Sequence, residues 1–379
     1  MARICVVLVY KSLACESKKI KKGEFVLVVI LYDGIGNSVF SSQVLDPLLA
    51  MIDKDINLEI TLISFEKEKI DALDLPKRIP ACNRLDIIIG KKLPFLGQWS
   101  LLFAAYQLKN ILSRLDYDQV LARGPLAGFI TLWALEKIAK KFPDNVVPEV
   151  TIQARGLCAE EYRYDKFKRP SNFIVKFFNR VLYSSLKNIE FLVYSTSDTN
   201  IKIEAVSPAL KEYLVKTFQA PESKIIIATH DIPKHFSPEE IAAWRKKVRE
   251  QLHIPEDTHV YCYSGSYKPW QCPSEMVEYI TELLKTNKKI FFLVLSPDKD
   301  KFLLACSKQH IDKHYYIVLN VSAHDVYQYL AAGDYGLLFR EKDIVNWVSR
   351  PTKMLEYQSV GLKIIHNNTI SWLTNHEVS

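Results

Sequence analysis

The sequence predicts an α/β protein made of two units in tandem, each a parallel sheet covered by helices on both sides. Three observations lead there. Short β-branched runs alternate with longer helical patterns along almost the whole chain. Several runs are continuously apolar, as strands buried on both faces must be. The alternation breaks once, around 229–257, where Pro233, Pro238 and Pro255 flank a charged helical stretch at 239–251. A length of 379 residues agrees, since it is long for one core and ordinary for two domains.

The first strand is FVLVVILY at 25–32, and it runs into Asp33-Gly34-Ile35-Gly36-Asn37-Ser38 before a helical pattern over 39–51. Further strands are predicted at 58–64, 117–122, 149–153 and 224–228, with helices at 99–112, 126–141, 173–186 and 209–218. The second series has strands at 260–264, 290–295, 316–320, 335–339 and 362–366. Helices begin at Ser274 and after Pro351, and span 301–308 and 323–332. This divides the chain into an N-terminal extension (1–22), a first domain (23–230) and a second (231–379).

Composition excludes several classes. With 48% hydrophobic and 25% charged residues the chain is globular rather than disordered. The seven cysteines are scattered without a C-x-x-C pair, which fits a reducing compartment better than a disulfide framework or a zinc site. No stretch approaches the roughly 20 apolar residues of a membrane span, so a cytoplasmic protein is expected. The net charge of +7 suits either a basic solvated face or an anionic ligand or membrane surface. Aromatic residues are not interleaved with basic ones, and no nucleic-acid-binding module is expected.

Ligands in open parallel sheets bind beyond the carboxyl ends of the strands, so three loops carry the candidate chemistry. In the first, Gly34, Gly36 and Asn37 either let a ligand approach the backbone or make a tight turn with a helix cap. Val39 stands where a dinucleotide fingerprint needs its third glycine, which weighs against a nicotinamide dehydrogenase. The second loop, YSGSYKPW at 263–270, offers Gly265 for close approach and Lys268 for a diphosphate. The third runs from Arg340 to Tyr357. Arg340, Arg350 and Lys353 crowd a helix opened by Pro351, where cations are unfavourable unless an anion joins them. Lys353 and Glu356 share one helical face. A surface ion-pair cluster is the competing reading.

The run SRPTKMLEYQSVGLKII, preceded by DYGLLFREKDIVN, resembles the donor-site signature of glycosyltransferase family 4 and its GT-B relatives in bacterial glycan assembly. YSGSYKPWQ is similar to the start of that family's C-terminal domain, and VSPALKEYLV to the end of its N-terminal one. YDGIGNSVFSSQVL, ARGPLAG and QARGLCAEE resemble N-domain loops of bacterial members. The likeness runs in order over about residues 24 to 368. It implies two Rossmann-like domains facing a cleft and a glycosyltransferase acting with retention, without a metal or cofactor. The donor is a nucleotide sugar and the acceptor a glycan or a lipid-linked molecule. Glu356 matches the glutamate that binds the nucleotide ribose, and Lys268 and Arg340 fall where basic residues meet the diphosphate. Arg155 and Glu161 are the candidates beside the reacting carbon, although Glu160 and Glu161 also fit ordinary salt bridges and Arg123 a structural cap.

The chain departs from the resemblance in two places. Val348 occupies the position of a second glutamate that the family often has, although Asn346 and Ser349 suit a subgroup lacking it. The family usually continues with another strand and helices beyond 362–366, so the second domain is expected to be shortened by a βα unit or more. A non-catalytic member that binds a nucleotide sugar or a partner is therefore the alternative, and an epimerase a more distant one. Lys91-Lys92-Leu93-Pro94-Phe95-Leu96 mixes basic and apolar residues; it either docks on an anionic inner-membrane face or packs Phe95 and Trp99 into the first domain.

Overall fold

A computed structural model describes residues 6–8, 25–36, 40–68, 79, 82–143, 147–170, 172–229, 233–322 and 325–374. The chain divides into two compact units, Met1–Ala228 and Thr229–Ser379.

The strands of the first unit are β1 (Val6–Leu8), β2 (Phe25–Leu31), β3 (Leu58–Glu66), β4 (Leu85–Lys91), β5 (Gln119–Arg123), β6 (Glu149–Ala154), β7 (Ile201–Ala205) and β8 (Ile225–Ile227). They form one sheet in the order β1-β4-β3-β2-β5-β6-β7-β8, with every pair parallel. Val6–Leu8, within the stretch read as an extension, is one of the two edge strands. The helices are α1 (Asp46–Lys54), α2 (Gln98–Leu112), α3 (Gly124–Lys141), α4 (Cys158–Phe167), α5 (Phe173–Tyr194) and α6 (Pro208–Phe218). A five-residue π-helical turn, Ser41–Leu45, leads into α1. In β2, Leu27, Val29 and Leu31 pack with Leu48 and Ile52 of α1, while Val26, Val28 and Ile30 are buried on the opposite face. A strand with both sides covered has no use for polar alternation, which is why its sequence is uniformly apolar.

The second unit adds β9 (His259–Ser264), β10 (Ile290–Leu295), β11 (Tyr316–Leu319), β12 (Tyr335–Leu338) and β13 (Lys363–His366) in the parallel order β11-β10-β9-β12-β13. Its helices are α7 (Pro238–Gln251), α8 (Pro273–Thr286), α9 (Lys299–Lys308), α10 (Val326–Leu330), α11 (Ile344–Trp347), α12 (Thr352–Ser359) and α13 (Ser371–Thr374). The two-residue period of a strand sorts the core. Tyr261, Tyr263, Phe292 and Val294 face α8 and α9, whereas Val260, Cys262, Leu293 and Leu295 face α7, α10 and α12.

The charged helix α7 starts from a capping box, Ser237 and Glu240 exchanging side-chain bonds with each other's backbone. Its Arg249 is 1% exposed. The guanidinium donates to the carbonyls of Ala332, Pro255, Glu256 and Thr258 and to Asp334 at 2.9 Å. Asp334 also accepts from Arg245 and from the backbone N–H of Val260. One arginine thus ties α7 to the amino-terminal end of the sheet, opposite the end where ligands bind.

Candidate functional site

In the second unit, β9 has β10 on one side and β12 on the other, so the connections leave in opposite directions and make a topological switch point. β9 and β12 pair only at Tyr261–Tyr335 and Cys262–Gly336. Beyond that the Tyr357 hydroxyl of α12 bridges them, accepting from the Ser264 N–H and donating to the Leu337 carbonyl, each at 3.2 Å. Gly336 makes room for the Tyr357 ring, which a Cβ there would strike.

The loops after β9 and β12 meet at this point. Glu341 N–H donates to the Trp270 carbonyl at 3.1 Å and joins the two loops. Asn346 donates to the Glu341 carbonyl, and Asn367 clasps the backbone of Arg340 by accepting from its N–H and donating to its carbonyl. Gly265 has a φ of +135°, and Lys353 lies so close that a Cβ would collide with its ammonium group. This is a position where only glycine fits.

Lys353 is buried. Its Nζ donates to the Tyr263 hydroxyl at 3.0 Å and to Gln271 Oε1, and lies 4.3 Å from the Tyr263 ring centroid. Desolvation, then the nearby charge of Arg340, lowers its pKa well below the usual lysine range, and Glu356 opposes them. Arg340 is equally buried, and desolvation lowers its pKa too. Its guanidinium donates to the Phe339 carbonyl at 3.3 Å. Among the described residues neither cation makes an ion pair with a carboxylate. Glu356 is half-buried and accepts from the Ser264 hydroxyl at 2.8 Å, at the tip of β9. The first turn of α12 has no side-chain cap, Pro351 being its N-cap residue, so its leading N–H groups are available to an anion.

Of the predicted donor residues, the fold gathers Gly265, Arg340, Lys353 and Glu356. Lys268 is exposed, with Nζ 5.9 Å from the Trp270 ring centroid. Arg350 lies over the Trp372 ring at 4.4 Å. Val348 is fully buried, so an aliphatic group fills the core where a second glutamate was looked for. Tyr263, Gln271, Tyr357 and Asn367 were missed by sequence reasoning. Tyr357 sits inside the quoted signature one residue after Glu356, but nothing in the spacing shows that its hydroxyl would fill a gap between strands.

The first unit has its own switch point, at β2 between β3 and β5. Gly34, with φ +90°, abuts the carboxylate of Glu66, which accepts from the Ile35 N–H at 2.7 Å and the Ser64 hydroxyl at 2.6 Å. Gly34 thus serves a turn closed by Glu66; Gly36 is exposed, and Asn37 lies outside the described residues. Asp33, Gly34, Arg123 and Arg155 line a cavity of about 110 Å³. Arg123 donates to the backbone and side chain of Gln43, which ties the π-helical turn to β5. Arg155 is half-buried. Glu160 is held by Arg163, Lys187 and Tyr183 at 2.6, 2.9 and 2.9 Å. These bonds keep its carboxyl below the usual range against desolvation. Glu161 is reached by solvent yet crowded by protein. Desolvation and then the charge of Asp33 raise its pKa to about 7.

Lys92, one of the two lysines of the proposed membrane stretch, is buried with Nζ donating to the Tyr32 carbonyl, while Trp99 is 77% exposed. Trp99 therefore does not pack into the first unit, and Lys92 is not available to a lipid surface. No helix among the described residues is long and apolar enough to cross a membrane. No group of three or more His, Cys, Asp or Glu residues that could hold a metal occurs among them either.

No family model and no curated protein sequence matches the chain. Solved structures do. A sucrose-phosphate synthase from Thermosynechococcus elongatus superimposes with a TM-score of 0.62 at 11% identity, over 93% of this chain and 83% of that one. A glycosyltransferase from Rickettsia africae gives 0.60 at 12%, over 93% and 82%. Anabaena HepE, solved with UDP and glucose, gives 0.57 at 12%, over 91% and 82%. The chain has the GT-B fold, two Rossmann-like α/β domains in succession. It shares that fold with glycosyltransferases, including one whose structure contains UDP.

Proposed function

We propose that the chain is a glycosyltransferase that binds a nucleotide sugar at the switch point of its second unit. It passes the sugar to a glycan or lipid-linked acceptor with retention of configuration. The observation that carries this reading is the pair of buried cations, Arg340 and Lys353, with no carboxylate among the described residues in ion-pair contact, beside the uncapped start of α12. Buried charge of one sign is costly, and an anion that pairs with it removes the cost. A diphosphate fits that need. Glu356, one turn along α12 and level with the tip of β9, is placed to accept hydrogen bonds from ribose hydroxyls.

In this scheme Arg340, Lys353 and the α12 N–H groups stabilise the charge that grows on the departing diphosphate, so no metal ion is required. Lys268, exposed on the neighbouring loop, reaches the phosphates from the solvent side. Arg155 and Glu161 act beside the sugar. A Glu161 carboxyl titrating near pH 7 can exchange a proton with an acceptor hydroxyl. The likeness to HepE, whose structure contains UDP, supports a uridine nucleotide as the first to try.

The reading is tested by the slow release of UDP from UDP-sugars incubated with the purified chain. Arg340→Ala is expected to slow release about 100-fold or more, the usual cost of removing one group that stabilises leaving charge. An unchanged rate contradicts the assignment. UDP binding with no release by the unaltered chain selects the non-catalytic alternative.

A further inference from the structure

We infer that the amino-terminal half of α5, together with the start of α2, is a docking surface for an anionic lipid bilayer. α5 has two different halves. Leu186, Ile189, Glu190, Val193 and Tyr194 bury one face against the unit, whereas Phe173, Ile174, Phe177, Phe178 and Val181 are exposed. At 3.6 residues per turn those five span an arc of about 140°, on the side opposite the buried face. Phe173 is 80% exposed and Phe178 59%. α2 begins beside this stripe. The Gln98 N–H donates to the Ser185 hydroxyl at 3.0 Å, and Asn188 donates to the Gln98 side chain at 3.2 Å. Leu96 and Trp99, 73% and 77% exposed, extend the apolar surface there, and Phe103 and Tyr106 continue it along α2.

Charge identifies the occupant. Residues 166–189 contain six Lys and Arg and no Asp or Glu, and residues 87–115 likewise contain no acid. Lys176 and Arg180 are exposed beside the apolar stripe and form no ion pair with a carboxylate among the described residues. A second copy of the chain would bring the same basic helix against itself, since a two-fold contact opposes like with like. An acidic bilayer instead satisfies both features. Its surface potential draws the cations, and its interface accepts aromatic rings without directional hydrogen bonds, of which the stripe offers none. Exposed apolar patches of this extent mark interaction sites in soluble folds. The surface lies wholly in the first unit, and the inference does not depend on the donor site of the second.

The test is sedimentation of the full-length chain with vesicles of phosphatidylcholine, with and without phosphatidylglycerol. UDP binding and light scattering follow the same samples. Binding to the anionic vesicles alone is expected. Lys176→Ser and Arg180→Ser should each weaken it about fivefold, and the pair Phe177→Ser/Phe178→Ser should weaken it at least tenfold. The Trp99 emission, taken as the difference from Trp99→Phe, should shift to the blue on anionic vesicles. All these positions are exposed, so folding and UDP binding are expected to persist in the variants. Absence of vesicle binding overturns the inference, as does binding indifferent to these substitutions. A dimer broken by Phe177→Ser/Phe178→Ser, without vesicle binding, overturns it in favour of self-association. Loss of UDP binding with vesicle binding intact counts against the donor site alone.

Discussion

Glu190 is fully buried on α5, takes the Ala159 N–H at 3.4 Å on one carboxylate oxygen, and leaves the other without a hydrogen-bond partner among the described residues. Desolvation raises its pKa to about 8, with Lys187 and the backbone N–H groups of Ala159 and Cys158 opposing and Glu161 adding to the rise. The folded chain holds a proton on Glu190 that the unfolded chain releases near pH 4.5, so stability falls as pH rises from there through 8. Over that window the loss is on the order of a few kcal/mol. Glu190→Gln keeps the shape and removes the titration. The variant should match the parent at pH 5 and melt at a higher temperature at pH 8.5, and equal melting curves at both pH values would contradict the buried-acid account. Arg340 and Lys353 are the opposite case, buried basic groups that make no ion pair with a carboxylate among the described residues.

At the scale of elements, strands buried on both faces are the most legible part of the sequence. β10 begins and ends at the expected residues because six apolar residues bounded by Lys289 and Ser296 allow no other register. β7, IKIEA, was missed because its charged residues alternate with apolar ones and break the continuous run. The eight residues of α5 beyond its expected end at Leu186 were missed because its exposed and buried apolar stripes lie on different faces and blur the period. The donor loops were legible as glycine and charge between strand and helix, whereas the tertiary bonds of Tyr357, Gln271 and Asn367 are invisible to spacing. α7 is the element with the sharpest energetic test. Arg249→Ala removes the bonds to four carbonyls and leaves Asp334 with Arg245 and the Val260 N–H. It should destabilise the second unit by about 3 kcal/mol, seen as an earlier melting transition. A change within about 0.5 kcal/mol would mean that α7 is held by its apolar contacts instead.

Across the whole molecule, both units place a switch point at the carboxyl end of a central strand and equip it differently. The first offers Asp33 and Arg155 around a small cavity, with Glu161 raised in part by the Asp33 charge; the second offers buried cations, an uncapped helix start and Glu356. Acidic groups suit an acceptor hydroxyl and cations a diphosphate, which is the division of labour that the proposed transfer would require. On that proposal the second unit holds a nucleoside diphosphate through Arg340, Lys353 and Glu356. Calorimetric titration of the full-length chain with UDP, GDP, ADP and CMP, alongside Glu356→Ala, tests it most directly. Selective binding of one nucleoside diphosphate is expected. Glu356→Ala should weaken it about 10- to 100-fold, the worth of hydrogen bonds to a charged group. Binding of none by the folded chain, or equal binding by Glu356→Ala, would contradict it.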